Sequence, residues 1–169
     1  TAFDNRVEDA IANVTLGPVT RQRQNIDEIS SRGIEASTDI IFGAISFNGS
    51  LSYTDATAKE TGAAFDGNRP AQVPSWAGNA SLRYTIGPDS TVAVTVRHIG
   101  QQFEDDLEAD ILPAATTLDA YGEFALHRNL ALVVRGENLT DEEVVTRNQG
   151  GSIDLGIPRT VWLGFKLTN

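Results

Sequence analysis

The sequence predicts an all-β chain, an antiparallel up-and-down transmembrane barrel wall of about eight strands. Three observations predict it. Residues alternate apolar and polar in tracts of about ten, as in Ile45, Phe47, Gly49, Leu51 and Tyr53 against Ser46, Asn48, Ser50, Ser52 and Thr54. An extended strand with that pattern has one greasy face and one wet face, the mark of an outer-membrane barrel strand. Long and short connections then alternate along the chain. Strand charges, finally, keep almost entirely to the polar parity.

The strands are predicted in order. The first covers residues 1–14, with weak alternation. The second, 31–41, sets Ile34, Ala36, Thr38 and Ile40 against Glu35, Ser37 and Asp39. The third is 44–55. The fourth, 75–86, sets Trp76, Ala80, Leu82 and Tyr84 against Asn79, Ser81, Arg83 and Thr85. The fifth, 91–103, sets Val92, Val94 and Val96 against Thr95 and Arg97. The sixth, 117–126, sets Leu118, Ala120 and Phe124 against Asp119, Tyr121 and Glu123. The seventh, 130–139, sets Leu130, Leu132 and Val134 against Arg135 and Glu137, and the last, 159–167, carries Val161, Leu163, Phe165 and Leu167 on one face. Three connections are short (42–43, 87–90, 127–129) and four are long (15–30, 56–74, 104–116, 140–158). Outer-membrane barrels sort their loops this way, with short periplasmic turns and long extracellular loops. No segment has sustained helical periodicity.

Composition bounds the function. The chain of 169 residues has no Cys, which removes disulfides, thiolate metal sites and a cysteine nucleophile. It starts at Thr1 and has no Met, so it is expected to be part of a longer product. The longest apolar run, 130–134, is far below the roughly 20 residues of a membrane helix. A net charge of −10 opposes nucleic-acid binding, which needs cationic stripes on phosphates. The acid gathers in connections: Glu104, Asp105, Asp106, Glu108 and Asp110 in one, Asp141, Glu142 and Glu143 in another. Two readings stand, solvated loop charge or hard oxygen ligands for a divalent cation. No twelve-residue calcium-loop pattern occurs, and no metal site or cofactor is assigned.

Motifs for covalent chemistry are missing too. There is no Gly-x-Ser-x-Gly elbow, phosphate loop or His-Glu-x-x-His. His98, near Asp105 and Asp106 in sequence, is the one rim candidate for hydrolysis, and the chain is read as a non-enzyme. On the polar parity Arg97, Asp119, Tyr121, Glu123 and Arg135 are candidates to face a plug or a ligand path. Their signs alternate between neighbouring strands, which favours cross-strand pairing. Trp76 and Tyr84, near the two ends of the fourth strand, are membrane-interface candidates. The loop around Gly150-Gly151 is either a flexible tip or a ligand contact at the mouth.

Several segments carry a family resemblance. Asn25-Ile26-Asp27-Glu28 leading into Ser31-Arg32-Gly33-Ile34-Glu35 resembles an "N…G-[IV]-E" strand entry. Ser52-Tyr53-Thr54-Asp55-Ala56 resembles a strand end, and Gly67-Asn68-Arg69-Pro70 before Val73-Pro74 and Trp76 a loop-to-strand return. Asn138-Leu139-Thr140-Asp141 resembles "N-L-[TF]-[DN]", and Gly156-Ile157-Pro158-Arg159 a "G-x-P-R" start of the closing strand. In this order they resemble the C-terminal part of TonB-dependent outer-membrane receptors. The resemblance implies that residues 1–169 are the C-terminal portion of a 22-stranded barrel whose plug domain is absent here. It implies energy-coupled uptake of a scarce ligand such as a ferric siderophore, a cobalamin-like cofactor or an oligosaccharide. The implied partners are the rest of the barrel and its plug, the TonB energy-coupling protein, outer-membrane lipid and lipopolysaccharide, and a small-molecule ligand, with no nucleic acid. The family's last strand usually ends in an aromatic residue, whereas this chain ends Lys166-Leu167-Thr168-Asn169. The alternative architecture is a stand-alone eight-stranded barrel with a structural or adhesive role, which would fill its own interior. A soluble sandwich is a third possibility, with the apolar faces as its core.

Overall fold

The computed structural model describes residues 1–18 and 20–168. Twelve strands follow one another: β1 (Ala2–Gly17), β2 (Thr20–Phe42), β3 (Ile45–Lys59), β4 (Trp76–Ile86), β5 (Ser90–Ile99), β6 (Gln102–Phe103), β7 (Ile111–Leu112), β8 (Ala115–His127), β9 (Leu130–Glu137), β10 (Val145–Gln149), β11 (Ser152–Leu155) and β12 (Thr160–Leu167). Eight form one antiparallel sheet in the order β1-β2-β3-β4-β5-β8-β9-β12. The other four make two small hairpins, β6-β7 and β10-β11, inside long connections. The wall is all-β and up-and-down, as the alternation predicts.

Register keeps like with like. Tyr53 pairs with Trp76, Leu51 with Gly78, Gly49 with Ala80, Phe47 with Leu82 and Ile45 with Tyr84. Val94 pairs with Ala120, and Leu163 with Val134. A slip of one residue would send every one of these to the wet face, so the pattern itself fixes the pairing. The apolar face has no protein cover: Ile41 and Phe42 are 81% exposed, Leu163 72% and Leu167 79%. From Ile45 to Tyr53 the face runs roughly 26 Å along the strand. At a tilt of about 40° that is roughly 20 Å of height, close to the ~25 Å apolar band of a membrane barrel.

The sheet is open among the described residues. β12 pairs only with β9. β1 pairs with β2 no lower than Ala2↔Ile34, and Thr1 and Glu35 exchange backbone hydrogen bonds. Ala36 to Phe42 therefore face β3 on one side and no strand on the other. Such edges are templates for further pairing.

The turns joining β2 to β3, β4 to β5 and β8 to β9 lie at one end, whereas the β1-β2 hairpin closes between Gly17 and Thr20 at the other. β2 and β3 are joined by Gly43-Ala44, with Gly43 at φ +59, a positive value that a two-residue hairpin wants at its first position. The buried side chains gather at the other end. Ala10, Val14, Ile26, Ala58 and Phe65 form a small core there.

Four boundaries differ from the sequence reading. Residues 15–30 are no loop. β1 and β2 continue as a paired hairpin to Gly17↔Thr20. It reaches past the apolar band, and one of its sides is covered by the small core of Ala10, Val14 and Ile26 with Ala58 and Phe65. At Asp9 (φ +51) the faces exchange: Glu8 is exposed and Ala10 is buried. β3 likewise runs on to Lys59, past the predicted end at Asp55. β5 stops at Ile99, because Gly100 turns in against Trp76 and donates to its carbonyl at 2.7 Å. β9 stops at Glu137, ended by the left-handed Asn138 at φ +48. The terminal residue of the unusual strand end, Asn169, lies outside the described residues.

Candidate functional site

The wet face and the loop end are where the chain's polar chemistry converges. On the wet face Arg97 of β5 forms an ion pair with Asp119 of β8. Asp119 also accepts from the backbone N–H of Asn138 at 2.9 Å. Tyr121 donates to Glu123 at 2.6 Å, and Lys166 of β12 reaches the same carboxylate at 2.8 Å. These are the candidates the parity singled out, and Arg97–Asp119 is the cross-strand pair that alternating signs predict. Arg135 departs from it. Its direct neighbour across the ladder is Tyr121, and it pairs with Glu137 of its own strand. Both carboxylates of the neighbouring strand have other partners: Asp119 holds Arg97, and Glu123 receives Lys166 from β12. Sequence parity fixes the face but not the diagonal reach of a long side chain, and that reach decides the partner.

Two residues of this face were missed. Lys166 and Trp162 both lie on the polar parity of β12, opposite the apolar set that marked that strand. Trp162 pairs in register with Arg135 and is 57% exposed. The signal was available, since Thr160, Trp162, Gly164 and Lys166 alternate with Val161, Leu163, Phe165 and Leu167. Trp76 and Tyr84 sit on the exposed apolar face at opposite ends of β4, and Tyr53 and Trp76 pack with ring centroids 4.8 Å apart.

Asn138 builds the corner at which β9 leaves the wall. It is 4% exposed. Its side-chain amide donates to the carbonyls of Glu142 (2.8 Å) and Ile157 (3.1 Å), and its oxygen accepts from the Glu142 N–H (2.9 Å). Asp141, also left-handed, accepts from the Arg159 N–H at 3.0 Å and faces its guanidinium. Two motifs eighteen residues apart thus close on each other. The first ends β9 and the second aims β12 back along it.

The acidic connection between β6 and β7 is the hub of the loop end, and three of its five carboxylates are buried rather than solvated: Glu104 is 3% exposed, Asp105 5% and Asp106 6%. Asp105 accepts from the N–H groups of Leu107, Ala109 and Asp110. Asp106 accepts from the Thr15 N–H and hydroxyl at the tip of the β1-β2 hairpin. Glu104 receives Arg21 at 3.1 Å and Gln72 at 3.2 Å, and Glu108 accepts from the Arg69 N–H at 2.8 Å. The tip of β10-β11 touches the same connection through Gly150 and Asp110. These oxygens are committed to protein donors, and among the described residues no acidic or His cluster has metal-holding geometry. For residues 104–110 a third reading replaces both sequence readings, a clasp holding three long connections together, whereas Asp141, Glu142 and Glu143 are exposed as the solvated-loop reading expects. His98 shares a hydrogen bond with Thr116 at 2.8 Å on the apolar parity, and no carboxylate hydrogen-bonds it among the described residues.

A wall with one uncovered apolar face, one charged face and knitted loops at one end is the geometry of a transmembrane barrel wall. The family model described as "TonB dependent receptor-like, beta-barrel" matches residues 1–139, and the chain belongs to that family. Solved structures repeat the fold. The siderophore receptor PiuA from Acinetobacter baumannii is 17% identical with a TM-score of 0.80, over 98% of this chain and 25% of that one. The ferric yersiniabactin uptake receptor FyuA from Yersinia pestis is 17% identical with a TM-score of 0.84, over 98% and 26%. The ferric-catecholate import receptor Fiu from Escherichia coli K12 is 21% identical with a TM-score of 0.77, over 98% and 24%. The chain spans about a quarter of the length of each. No curated protein sequence matches it.

Proposed function

We propose that this chain is the C-terminal barrel wall of an outer-membrane receptor that takes up a scarce ligand by TonB-coupled transport. The observation that carries the reading is a sheet open at both edges, apolar outside and charged inside, with its long loops at one end. The open edges call for the remaining strands, and the charged face calls for an interior partner. Arg97, Asp119, Tyr121, Glu123 and Arg135, joined by Trp162 and Lys166, face that interior, where a plug or a passing ligand would meet them. Trp76 and Tyr84 mark the two lipid interfaces. The clasped loops form part of the external mouth. Transport is non-covalent, so the role of these residues is to bind and orient. The named functions of PiuA, Fiu and FyuA favour a ferric siderophore over a cobalamin-like cofactor or an oligosaccharide.

The test is uptake by cells carrying the full receptor, with and without TonB. The probes are ferric catecholate and hydroxamate complexes, cobalamin and an oligosaccharide. Accumulation of at least one probe should require both receptor and TonB. Accumulation that is independent of TonB for every probe, or unchanged by deleting the receptor, overturns the reading.

A further inference from the structure

The wet face carries one row of hydrogen-bond donors that the wall itself does not saturate. Ser50 of β3, Asn79 of β4, Arg97 of β5 and Thr117 of β8 pair in register, each opposite the next. At a strand spacing of about 4.8 Å the row is a band roughly 14 Å wide. It holds two hydroxyls, an amide and a guanidinium, and no carboxylate. Asn79 donates to Ser50 Oγ at 2.7 Å, which leaves the Ser50 hydroxyl proton free to donate. Thr117 is half-buried, and its hydroxyl has no partner among the described residues. Arg97 reaches Asp119 through one terminal nitrogen and keeps 59% of its side chain exposed. A guanidinium offers five N–H donors in a fixed fork, so it can hold Asp119 and a second anion together.

A cavity is the second observation. About 420 Å³ opens over this row, toward the loop end of the wet face. Ser50, Asn79, Arg97 and Thr117 line its polar side, and Ile99 and Val144 give it an apolar side. Val144 belongs to the connection between β9 and β10, so the cavity lies where the wall meets the mouth. The same connection steadies the partner of Arg97. Asp119 Oδ1 accepts from the Asn138 N–H at 2.9 Å while Oδ2 takes the guanidinium. With only 14% of its side chain exposed, Asp119 is anchored and sets the direction of Arg97.

We propose that this cavity is a subsite for the oxyanion group of an anionic chelate. Arg97 and the hydroxyls of Ser50 and Thr117 hold the charged oxygens, and Ile99 and Val144 flank the apolar body. Donor chemistry selects this occupant. An oxyanion gains a charge-assisted bond from the open side of the guanidinium. A neutral ligand gains nothing there that water does not already supply. The inference rests on the transport reading proposed above and narrows its ligand to an anion.

The experiment is equilibrium binding to the full receptor in mild detergent, measured without TonB. The probes are the ferric complexes of a catecholate and of citrate, both anionic, with cyanocobalamin as the neutral comparison. Wild type should bind at least one anionic complex. Arg97→Gln should weaken that binding by about tenfold or more, the size of a lost hydrogen bond to a charged group. Thr117→Val should weaken it about threefold, as for a neutral hydrogen bond. Asp119→Asn breaks the same ion pair as Arg97→Gln, but it frees the guanidinium and keeps an oxygen for the Asn138 N–H. It should tighten binding by about threefold, the size of an exposed ion pair. Arg128→Gln removes a cation from the β8-β9 turn, at the opposite end of the wall, and should bind as wild type does. Equal loss in Arg97→Gln and Asp119→Asn would make the pair a brace of the wall and overturns the subsite. Undiminished binding by Arg97→Gln overturns it too, as does a wild type that binds neither anionic complex. Each of these failures leaves the receptor reading standing, whereas uptake that is independent of TonB removes that reading itself.

Discussion

Asn138 shows how much one side chain can hold. It is buried, left-handed and engaged at both ends of its amide. Truncation leaves two carbonyls and one N–H without this partner. At about 0.5–1.5 kcal/mol each, the loss is roughly 2–4 kcal/mol. Backbone strain adds to it, because Ala at positive φ costs about 1 kcal/mol that Gly does not. Asn138→Gly should therefore destabilise the receptor less than Asn138→Ala, by about 1 kcal/mol, when urea unfolding is followed in detergent. Equal losses would mean that the φ value contributes nothing. In the sequence this residue was visible only as the first letter of a family-like motif. Its partner Ile157 lies nineteen positions away, and no local rule joins the two. The parity that marked Arg97 and Asp119 as wet-face residues was, by contrast, enough to pair them, because their strands are neighbours and their signs are opposite.

At the scale of elements, the wall was legible and the loop end was not. Alternation works where one side of a strand is apolar and the other wet, which is why β3, β4, β8 and β9 read clearly. In the upper β1-β2 hairpin the β2 side, Arg21-Gln22-Arg23-Gln24, is polar on both parities and so carries no alternation, while the apolar positions that mark its core, Ala10, Ala12 and Val14, lie on β1. The acidic connection misled for a related reason. A run of carboxylates reads as solvated or metal-binding, yet its partners are backbone N–H groups and side chains scattered over residues 15–72. Carboxylates accepting several N–H donors are held by charge-assisted hydrogen bonds, roughly twice as strong as neutral ones. Asp106→Ala should free the hairpin tip, with faster amide exchange at Thr15 and easier proteolysis near residues 15–20. The same exchange pattern in wild type should be unmoved by EDTA. Protection lost on chelation would return the divalent-cation reading.

The whole chain poses one question that no single element answers, namely whether eight strands close on themselves. An eight-stranded barrel can fill its interior with side chains, so size permits it. Closure would require β1 to pair with β12, and they stand at opposite ends of the sheet. The wet face argues the same way. Arg97, Glu123 and Arg135 find partners on their own or nearby strands, and Trp162 stays more than half exposed, whereas a self-filled barrel would pack such side chains against the opposite wall. The isolated 169-residue chain should therefore need detergent, because its apolar face is uncovered, and should give no compact, heat-modifiable band on a denaturing gel. Its free edges should instead drive self-association that rises with concentration. A compact unboiled band that unfolds on boiling would mean that the edges meet, and the stand-alone barrel would replace the receptor wall. A folded monomer in plain buffer would mean that the apolar faces have found each other, and neither membrane architecture would survive.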